Sequence, residues 1–328
     1  MSSTLLSVRD LKVNFVMSFG MIQAVKGLSF DLHQKEILGL IGESGSGKTT
    51  AALAITRLLP SYALVSGDVT FYGKDKKMEI LKMSESELRN YRWVHVSLVF
   101  QGAMNALNPV LSVREHFKDT AMSHGIKDGK QIEKMASELL KSVRLDPSRV
   151  LGAYPHQLSG GMKQRVMIAL ALMLRPEVVI MDEPTTALDA LTQRQILDLV
   201  KSIRDQYGTS ILLITHDLSV IADTVDNVVV LYNGTPMEKG SVNEIFYESL
   251  SPYTQMLIDS FPMIGRTVKQ KGQILRAASA TGCPYATQEC YGADMVMREV
   301  KPGHFSSCIK ADQFVKEVKA PKEGAKNE

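Results

Sequence analysis

A glycine-rich loop between a short apolar run and a helix-forming stretch constrains this chain more than any other feature. Residues 37–41 (ILGLI) are apolar, residues 42–49 read GESGSGKT, and AALAI follows at 51–55. The pattern G-x4-G-K-T, placed between a strand and a helix, is typical of a phosphate-binding loop. It predicts an α/β fold in which this loop follows a buried strand.

Each position of the loop has a physical task. Glycines let backbone amides converge on phosphate oxygens, and the helix that follows presents its positive end. Lys48 would neutralise the β and γ phosphates, and the Thr49 hydroxyl would bind magnesium. The predicted nucleotide-binding residues are Gly42, Ser44, Gly45, Ser46, Gly47, Lys48, Thr49 and Thr50. The alternative is a flexible glycine-serine turn with a surface lysine, which the flanking strand and helix patterns disfavour.

A second apolar run, VVIM at residues 178–181, ends in the two carboxylates Asp182 and Glu183. Ligands of open α/β sheets bind at the carboxyl ends of the strands. We therefore predict that Asp182 holds magnesium, directly or through water, and that Glu183 polarises the attacking water as the general base. The alternative is a helix-capping pair after a core strand.

The order of apolar patterns along the chain predicts the architecture. Residues 6–32 indicate a pair of strands, residues 102–158 contain a helical insert, and strand-like runs return at 178–181 and 210–214 around the helical stretch 193–207. This alternation favours a mostly parallel sheet flanked by helices. We predict an ATPase domain over 1–250 with an N-terminal antiparallel β subdomain, a small cysteine-containing C-terminal module over 251–317, and a disordered polar tail over 318–328.

Composition excludes some functions. The net charge of +3 is too small to imply nucleic acid. The longest apolar run, residues 166–174, is far shorter than the roughly 20 residues that cross a bilayer. The first residues lack a basic segment leading into an apolar stretch, so we expect no secretory signal and a cytoplasmic protein.

The segment LSGGMKQR at residues 158–165 narrows the family. A serine hydroxyl and two glycine amides before a helix can form a second anion site, although in isolation a simple helix cap is the more common explanation. The segment resembles the signature sequence of ABC ATPases. The resemblance implies that Ser159, Gly160 and Gly161 face the γ-phosphate held by an opposite subunit, so that ATP is clamped between two chains.

Four further positions resemble functional residues of that family. Gln101 is similar to the glutamine that senses magnesium and attacking water, and His216 to the switch histidine that contacts the γ-phosphate. Asp189, in ALD at 187–189, resembles the loop that crosses the dimer interface, and Phe15 the aromatic residue that stacks on adenine. Each could be an ordinary surface or core residue by itself, but their order and their placement at strand ends favour the functional interpretation.

The stretches FQGAMNALNP at 100–109 and SPYT at 251–254 resemble the oligopeptide and dipeptide importer branch, which also includes nickel and oligosaccharide importers. The resemblance implies an ATPase that uses ATP and Mg²⁺ on the cytoplasmic face of the membrane. Its implied partners are a second ABC ATPase subunit, with a heterodimer favoured, two integral membrane permeases and an extracytoplasmic solute-binding protein. The rival hypotheses are a soluble ABC ATPase acting on ribosomes or nucleic acid and a purely regulatory subunit.

The C-terminal module of this branch commonly carries four cysteines, associated in some members with a four-iron four-sulfur cluster. Cys283, Cys290, His304 and Cys308 match this pattern, but the expected third cysteine falls near Met297. Three thiolates are one short of the usual cluster ligation. A cluster with a noncysteine ligand such as the histidine, a zinc site with three cysteines and one histidine, and unligated thiols all stay open.

Overall fold

The computed structural model describes residues 3–18, 20–73, 76–102, 106–260, 286–291, 293, 295–313 and 315, which form two β-sheets surrounded by helices. The strands are β1 (Thr4–Met17), β2 (Gly20–His33), β3 (Ile37–Ile41), β4 (Ala63–Tyr72), β5 (Lys77–Glu79), β6 (Val96–Val99), β7 (Val178–Asp182), β8 (Ser210–Thr215), β9 (Asn227–Tyr232), β10 (Thr235–Ser241), β11 (Arg298–Lys301) and β12 (His304–Ser306). The helices are α1 (Lys48–Ile55), α2 (Glu85–Tyr91), α3 (Val113–Ser123), α4 (Gly129–Ser142), α5 (Pro147–Val150), α6 (Gly160–Ala171), α7 (Ala190–Tyr207), α8 (Leu218–Ala222), α9 (Val242–Tyr247), α10 (Pro252–Asp259) and α11 (Gln288–Tyr291). Within these described ranges, every helix is too short or too polar to cross a bilayer.

The N-terminal sheet is antiparallel, with the strand order β2-β1-β4-β5. Its long strands β1 and β2 pair over nearly their whole length, and Val8 lies opposite Phe30. Both of these side chains are buried in a core that the sheet shares with α1 and with the larger sheet. The predicted N-terminal antiparallel β subdomain is therefore confirmed.

The larger sheet has the strand order β11-β12-β10-β9-β3-β8-β7-β6. Strands β6, β7, β8, β3 and β9 are parallel, whereas β10, β12 and β11 continue the sheet in antiparallel fashion. Every residue of β3, β7 and β8 is buried, as expected for strands covered on both faces. The predicted α/β fold class is confirmed, and parallel pairing brings the carboxyl ends of β3, β6, β7 and β8 to one edge.

Helices α3, α4 and α5 occupy the predicted insert between β6 and α6. The apolar face of α4 buries Ile132, Ala136, Leu139 and Leu140, the three- and four-residue spacing of an amphipathic helix. These side chains join the same core cluster as the inner face of α6, so the insert packs directly against the helix that begins at residue 160.

The C-terminal strands extend the larger sheet. Strand β12 pairs with β10, with Ser306 opposite Glu238. The fully buried Glu238 carboxylate accepts hydrogen bonds from the Leu250 and Ser251 amides at 2.7 and 3.0 Å, and its Oε1 lies 2.7 Å from His304 Nε2. Hydrogen bonds thus cross residue 250, where we predicted the boundary between the ATPase domain and the C-terminal module. The boundary itself stays a prediction. The predicted tail and Cys283 lie outside the described residues.

Candidate functional site

The loop after β3 requires glycine at its two ends. Gly42 has a φ of 152° and Gly47 a φ of 98°, both in the region that side chains disfavour. A Cβ atom would lie 2.2 Å from the Leu231 carbonyl oxygen at Gly42 and 2.3 Å from the Ala24 carbonyl oxygen at Gly47. These backbone contacts fix the path of the loop between the end of β9 and the N-terminal sheet.

Helix α1 begins without a cap. No side chain accepts a hydrogen bond from its first amides, and its first turn contains no acidic residue. In contrast, Ser112 and Asp128 cap α3 and α4. The first amides of a helix have no partner within the helix, so the start of α1 is left available for an anion.

Lys48 is the first residue of α1, is only 5% exposed, and turns its side chain back onto the loop. Its ammonium group donates to the Gly42 oxygen at 2.8 Å, the Glu43 oxygen at 2.7 Å and Ser46 Oγ at 3.2 Å. Burial lowers the pKa of Lys48, and the nearby negative charges of Glu183, Asp182 and Glu43 oppose this shift. A buried cation whose close partners are neutral oxygens can transfer to a phosphate without breaking an ion pair.

Asp182, the last residue of β7, supplies a buried carboxylate that fits a metal. It is 2% exposed, and its Oδ1 atom has no hydrogen-bond partner. Burial raises the pKa of Asp182, and a hydrogen bond from Thr49 opposes the increase. Carboxylate and hydroxyl oxygens are ligands that Mg²⁺ accepts beside substrate phosphates, so this pair fits the predicted magnesium site.

Three side chains hold the carboxylate of Glu183. Gln101 Nε2 donates to Oε2 at 2.7 Å, Thr186 Oγ1 donates to the same oxygen at 3.0 Å, and His216 Nδ1 lies 2.8 Å from Oε1. The Glu183 side chain is 9% exposed, whereas that of His216 is 51% exposed. Two of the sequence-predicted residues, Gln101 and His216, therefore both contact the carboxylate of a third, Glu183. The exposed side chain of His216 gives this group of residues access to solvent.

Thr186 is the contact that the sequence did not predict. Glu183 has a φ of 49°, and its amide donates to the Ile214 oxygen at 2.8 Å, so the chain turns sharply as β7 ends. This turn places the hydroxyl of Thr186 within hydrogen-bonding distance of the Glu183 carboxylate. The only available signal was a hydroxyl residue three positions after a strand-end acid, which is too common to be informative.

The predicted signature residues form a second cluster, at the start of α6. Ser159 caps this helix by accepting from the Met162 amide at 3.3 Å. A Cβ atom on Gly161 would lie 2.6 Å from Thr192 Cγ2, and Asp189 caps the next helix by accepting from the Thr192 amide at 2.9 Å. Residues 159–161 and Asp189 are thus neighbours. Among the described residues, no hydrogen bond or ion pair joins this cluster to the loop 42–49.

Phe15 lies near the end of β1 and is half-buried. Its ring is 5.9 Å from that of Tyr62, with a tilt of 51°. Tyr62 is 54% exposed and is a second aromatic side chain at this position that the sequence analysis missed. The adenine contact of Phe15 stays a prediction.

The predicted C-terminal ligands are not gathered around a metal site in the part of the chain that the structure describes. No group of three His, Cys, Asp or Glu side chains there could hold a metal ion. His304 is fully buried and directs Nε2 at Glu238, and Cys290 Sγ lies 3.6 Å from Thr287 Oγ1. With Cys283 outside the described residues, the cluster and zinc hypotheses gain no support.

Two protein-family descriptions match this chain, one in its N-terminal part and one nearer its C-terminus. The family described as ABC transporter matches residues 25–186, and the oligopeptide/dipeptide transporter C-terminal region matches residues 237–294. The oligopeptide transport ATP-binding protein OppD of Escherichia coli is 37% identical over 94% of this chain and 94% of its own length. The dipeptide transport ATP-binding protein DppD of Caldanaerobacter subterraneus is 46% identical over 79% of this chain and 78% of its own length.

A solved structure shares the architecture. The ATP-binding cassette MJ0796, in a dimeric post-hydrolysis state bound to ADP and Pi, is 29% identical with a TM-score of 0.63 and covers 73% of this chain and 99% of its own. The sequence identity, the family matches and the fold agree with one another. The chain therefore belongs to the ATP-binding subunits of ABC transporters, in the oligopeptide and dipeptide transporter family.

Proposed function

We propose that this ATPase binds Mg-ATP at residues 42–49 and powers an importer of peptides from the cytoplasmic face of the membrane. The relatives named for oligopeptide and dipeptide transport support a peptide cargo. Nickel and oligosaccharides, which the sequence resemblance leaves open, have no comparable support. Nothing in the matches favours an action on ribosomes or nucleic acid.

The observation that carries the proposal is the Glu183 carboxylate, held by three side chains close to Lys48. A carboxylate fixed in this way can accept the proton of an attacking water. Gln101 and His216 would orient both the carboxylate and that water. Lys48 neutralises the phosphates as they enter the loop. Mg²⁺ would be held by Asp182 and Thr49 and would neutralise charge on the phosphate oxygens.

We also propose that the cluster at residues 159–161 acts on a second chain. Its separation from the loop 42–49 supports a site shared between two subunits, in which each signature segment faces the ATP of the other. We favour a related second ATPase as the partner, with two permeases and a solute-binding protein completing the complex. The dimeric state of the matched cassette supports the pairing of two such domains.

Two measurements test the four-iron four-sulfur and zinc hypotheses for Cys283, Cys290, Cys308 and His304. Visible absorption of protein purified without oxygen would show a cluster, and metal analysis of the same sample would show zinc. A colourless, metal-free protein would contradict both ligand hypotheses.

The central test is Lys48→Ala in the full transporter complex. We expect loss of ATP binding and hydrolysis, because the loop then lacks its only cation at the phosphates. Lys82→Ala is the matched control, since that side chain is 70% exposed and pairs with Glu79. Wild-type ATP binding by the Lys48 variant would overturn the proposed site, and copurification with RNA instead of two membrane proteins would overturn the transport function.

A further inference from the structure

A histidine in the first turn of α3 holds the segment that follows Gln101. His116 is half-buried, and its ring lies between two backbone groups: the Asn108 amide donates to Nε2 at 2.9 Å, and Nδ1 lies 2.8 Å from the Ser112 oxygen. A backbone amide only donates and a carbonyl oxygen only accepts. Nε2 is therefore the acceptor and Nδ1 carries the proton, so the two contacts together require a neutral ring in one tautomer.

Asn108 is also the first residue of a tight turn. Its carbonyl oxygen accepts from the Leu111 amide at 3.2 Å, and its side-chain Oδ1 accepts from the Val110 amide at 3.2 Å. Leu107, immediately before it, is 4% exposed and packs into the core cluster shared by α4 and α6. The contact with His116 therefore fixes the whole turn 108–111, and not a single residue, on the start of α3.

The start of α3 is tied in turn to the chain that leads to the cluster at residues 159–161. Two amides of its first turn donate to the carbonyl oxygens of Leu151 and Ala153, at 2.9 and 3.0 Å. The chain runs from there to the start of α6. One helix start therefore holds the turn 108–111 on one side and the segment before residues 159–161 on the other.

The turn 108–111 is close in sequence to the residue that contacts the proposed base. Gln101 Nε2 donates to Glu183 Oε2 at 2.7 Å. Among the described residues, the Asn108 amide makes the first hydrogen bond after Gln101 that ties this segment to α3. Because the connection is short, the place where Asn108 is held limits where the Gln101 side chain can lie. Catalysis is sensitive to small displacements of a group that orients the reactants.

We infer that His116 is a positioning residue for hydrolysis: by holding Asn108 on α3, it sets the position of Gln101 at the Glu183 carboxylate relative to the helical insert. The histidine acts through Gln101 and is not itself a catalytic residue. The inference rests on the proposed function, hydrolysis of ATP with Glu183 as the general base.

The test compares His116→Gln, His116→Asn and His116→Ala in the full transporter complex. Phosphate release gives kcat and KM for ATP, and titration of a fluorescent Mg-ATP analogue gives Kd. Glutamine can place its amide oxygen where Nε2 lies and so keep the acceptor for the Asn108 amide. Asparagine is shorter, so it can keep the contact with the Ser112 oxygen but cannot reach Asn108. Alanine removes both contacts.

We expect kcat to fall by roughly two- to tenfold in His116→Asn and His116→Ala, the effect of one hydrogen bond, and to stay near the wild type in His116→Gln. Kd and KM should be nearly unchanged in all three variants, because Lys48 and the loop 42–49 are untouched. Lys118→Ala, at an exposed position of the same helix, is the control and should match the wild type.

A double substitution tests whether the histidine acts through Gln101. Gln101→Ala retains Glu183 and Lys48, so we expect residual hydrolysis that can be measured. His116→Asn should lower kcat in the otherwise unchanged chain but not in a chain that already carries Gln101→Ala. An equal loss in both backgrounds would overturn the inference, because the histidine would then act by another route.

Two results of the first comparison also overturn it. Equal kcat in His116→Asn and His116→Gln would show that the Asn108 contact has no role in hydrolysis. A lower melting temperature in His116→Asn with an unchanged kcat would show a purely structural role. Lys48→Ala, measured in parallel, separates this inference from the proposed function. Wild-type hydrolysis by that variant would refute the ATP site itself, whereas an inactive Lys48 variant beside a fully active His116→Asn variant would refute only the role of the histidine.

Discussion

Glu183→Gln tests the chemistry of the site with a change of a single group. The side chain keeps its volume but loses its negative charge and one acceptor oxygen. The carboxylate now accepts from Gln101 Nε2 and Thr186 Oγ1 on one oxygen, and its other oxygen faces His216 Nδ1 at 2.8 Å. An amide has only one oxygen, so its NH₂ group must face either the two donors or the histidine.

The expected fall in kcat follows from the loss of the proposed general base. A positioned general base contributes about 10²–10⁴-fold to a rate, which corresponds to roughly 2.7–5.4 kcal/mol of activation free energy. We expect kcat to fall at least about 100-fold, since the amide cannot accept the proton of water. Binding of Mg-ATP should be retained or tighter, because Lys48 remains and one negative charge near the phosphates is removed.

The assay is phosphate release by the assembled transporter, together with Kd for Mg-ATP and the fraction of ATP-bound dimer. Glu177→Gln is a matched control just before the same strand: Glu177 immediately precedes β7, and its Oε1 lies 2.9 Å from His95 Nδ1. Hydrolysis by the Glu183 variant within a few-fold of the wild type, with the control also active, would refute the assignment of the general base.

Three further substitutions probe the loop, the C-terminal attachment and the support of the base. Gly42→Ala should abolish nucleotide binding, because its Cβ would lie 2.2 Å from the Leu231 oxygen; binding of a fluorescent nucleotide at wild-type affinity would contradict this. Glu238→Ala should lower the free energy of unfolding by about 3–5 kcal/mol, since buried His304 and two amides lose their acceptor; denaturant unfolding measures this, and a change below about 1 kcal/mol would refute it. Thr186→Val should lower kcat by about five- to tenfold with Thr186→Ser near the wild type, and equal kinetics of valine and serine variants would refute a positioning hydroxyl.

The parts of the site that sequence predicts well are those whose geometry is local. The loop 42–49 contains its own glycines, lysine and helix start, and the apolar run before it predicts a buried strand. Asp182 ends a second buried strand and Glu183 follows it, so parallel pairing through β8 to β3 is sufficient to bring them to the loop. In these cases a few neighbouring residues determine both the backbone path and the direction of the side chains.

The parts that sequence did not predict depend on contacts between distant residues. Strand β12 is three residues long and has no clear periodicity, yet it pairs with β10 more than sixty positions earlier. Glu238 and His304 appear polar in the sequence and are both fully buried, where the Glu238 carboxylate accepts from two backbone amides and faces His304 Nε2. Thr186 likewise acquires its position from a turn that no short pattern indicates.

The described residues bring Glu183 together with its three hydrogen-bonding partners, but they leave the cluster at residues 159–161 separate from the loop 42–49. Glu183 already has its three partners, and Lys48 already lies in the loop, without any second subunit. The cluster at residues 159–161, in contrast, makes its hydrogen bond within its own helix and packs on Thr192. Joining two chains therefore does not need to position the carboxylate that we propose as the base, because its three contacts are already present in one chain. We expect closure of the second phosphate contact, rather than assembly of the carboxylate site, to be the step that a partner subunit supplies.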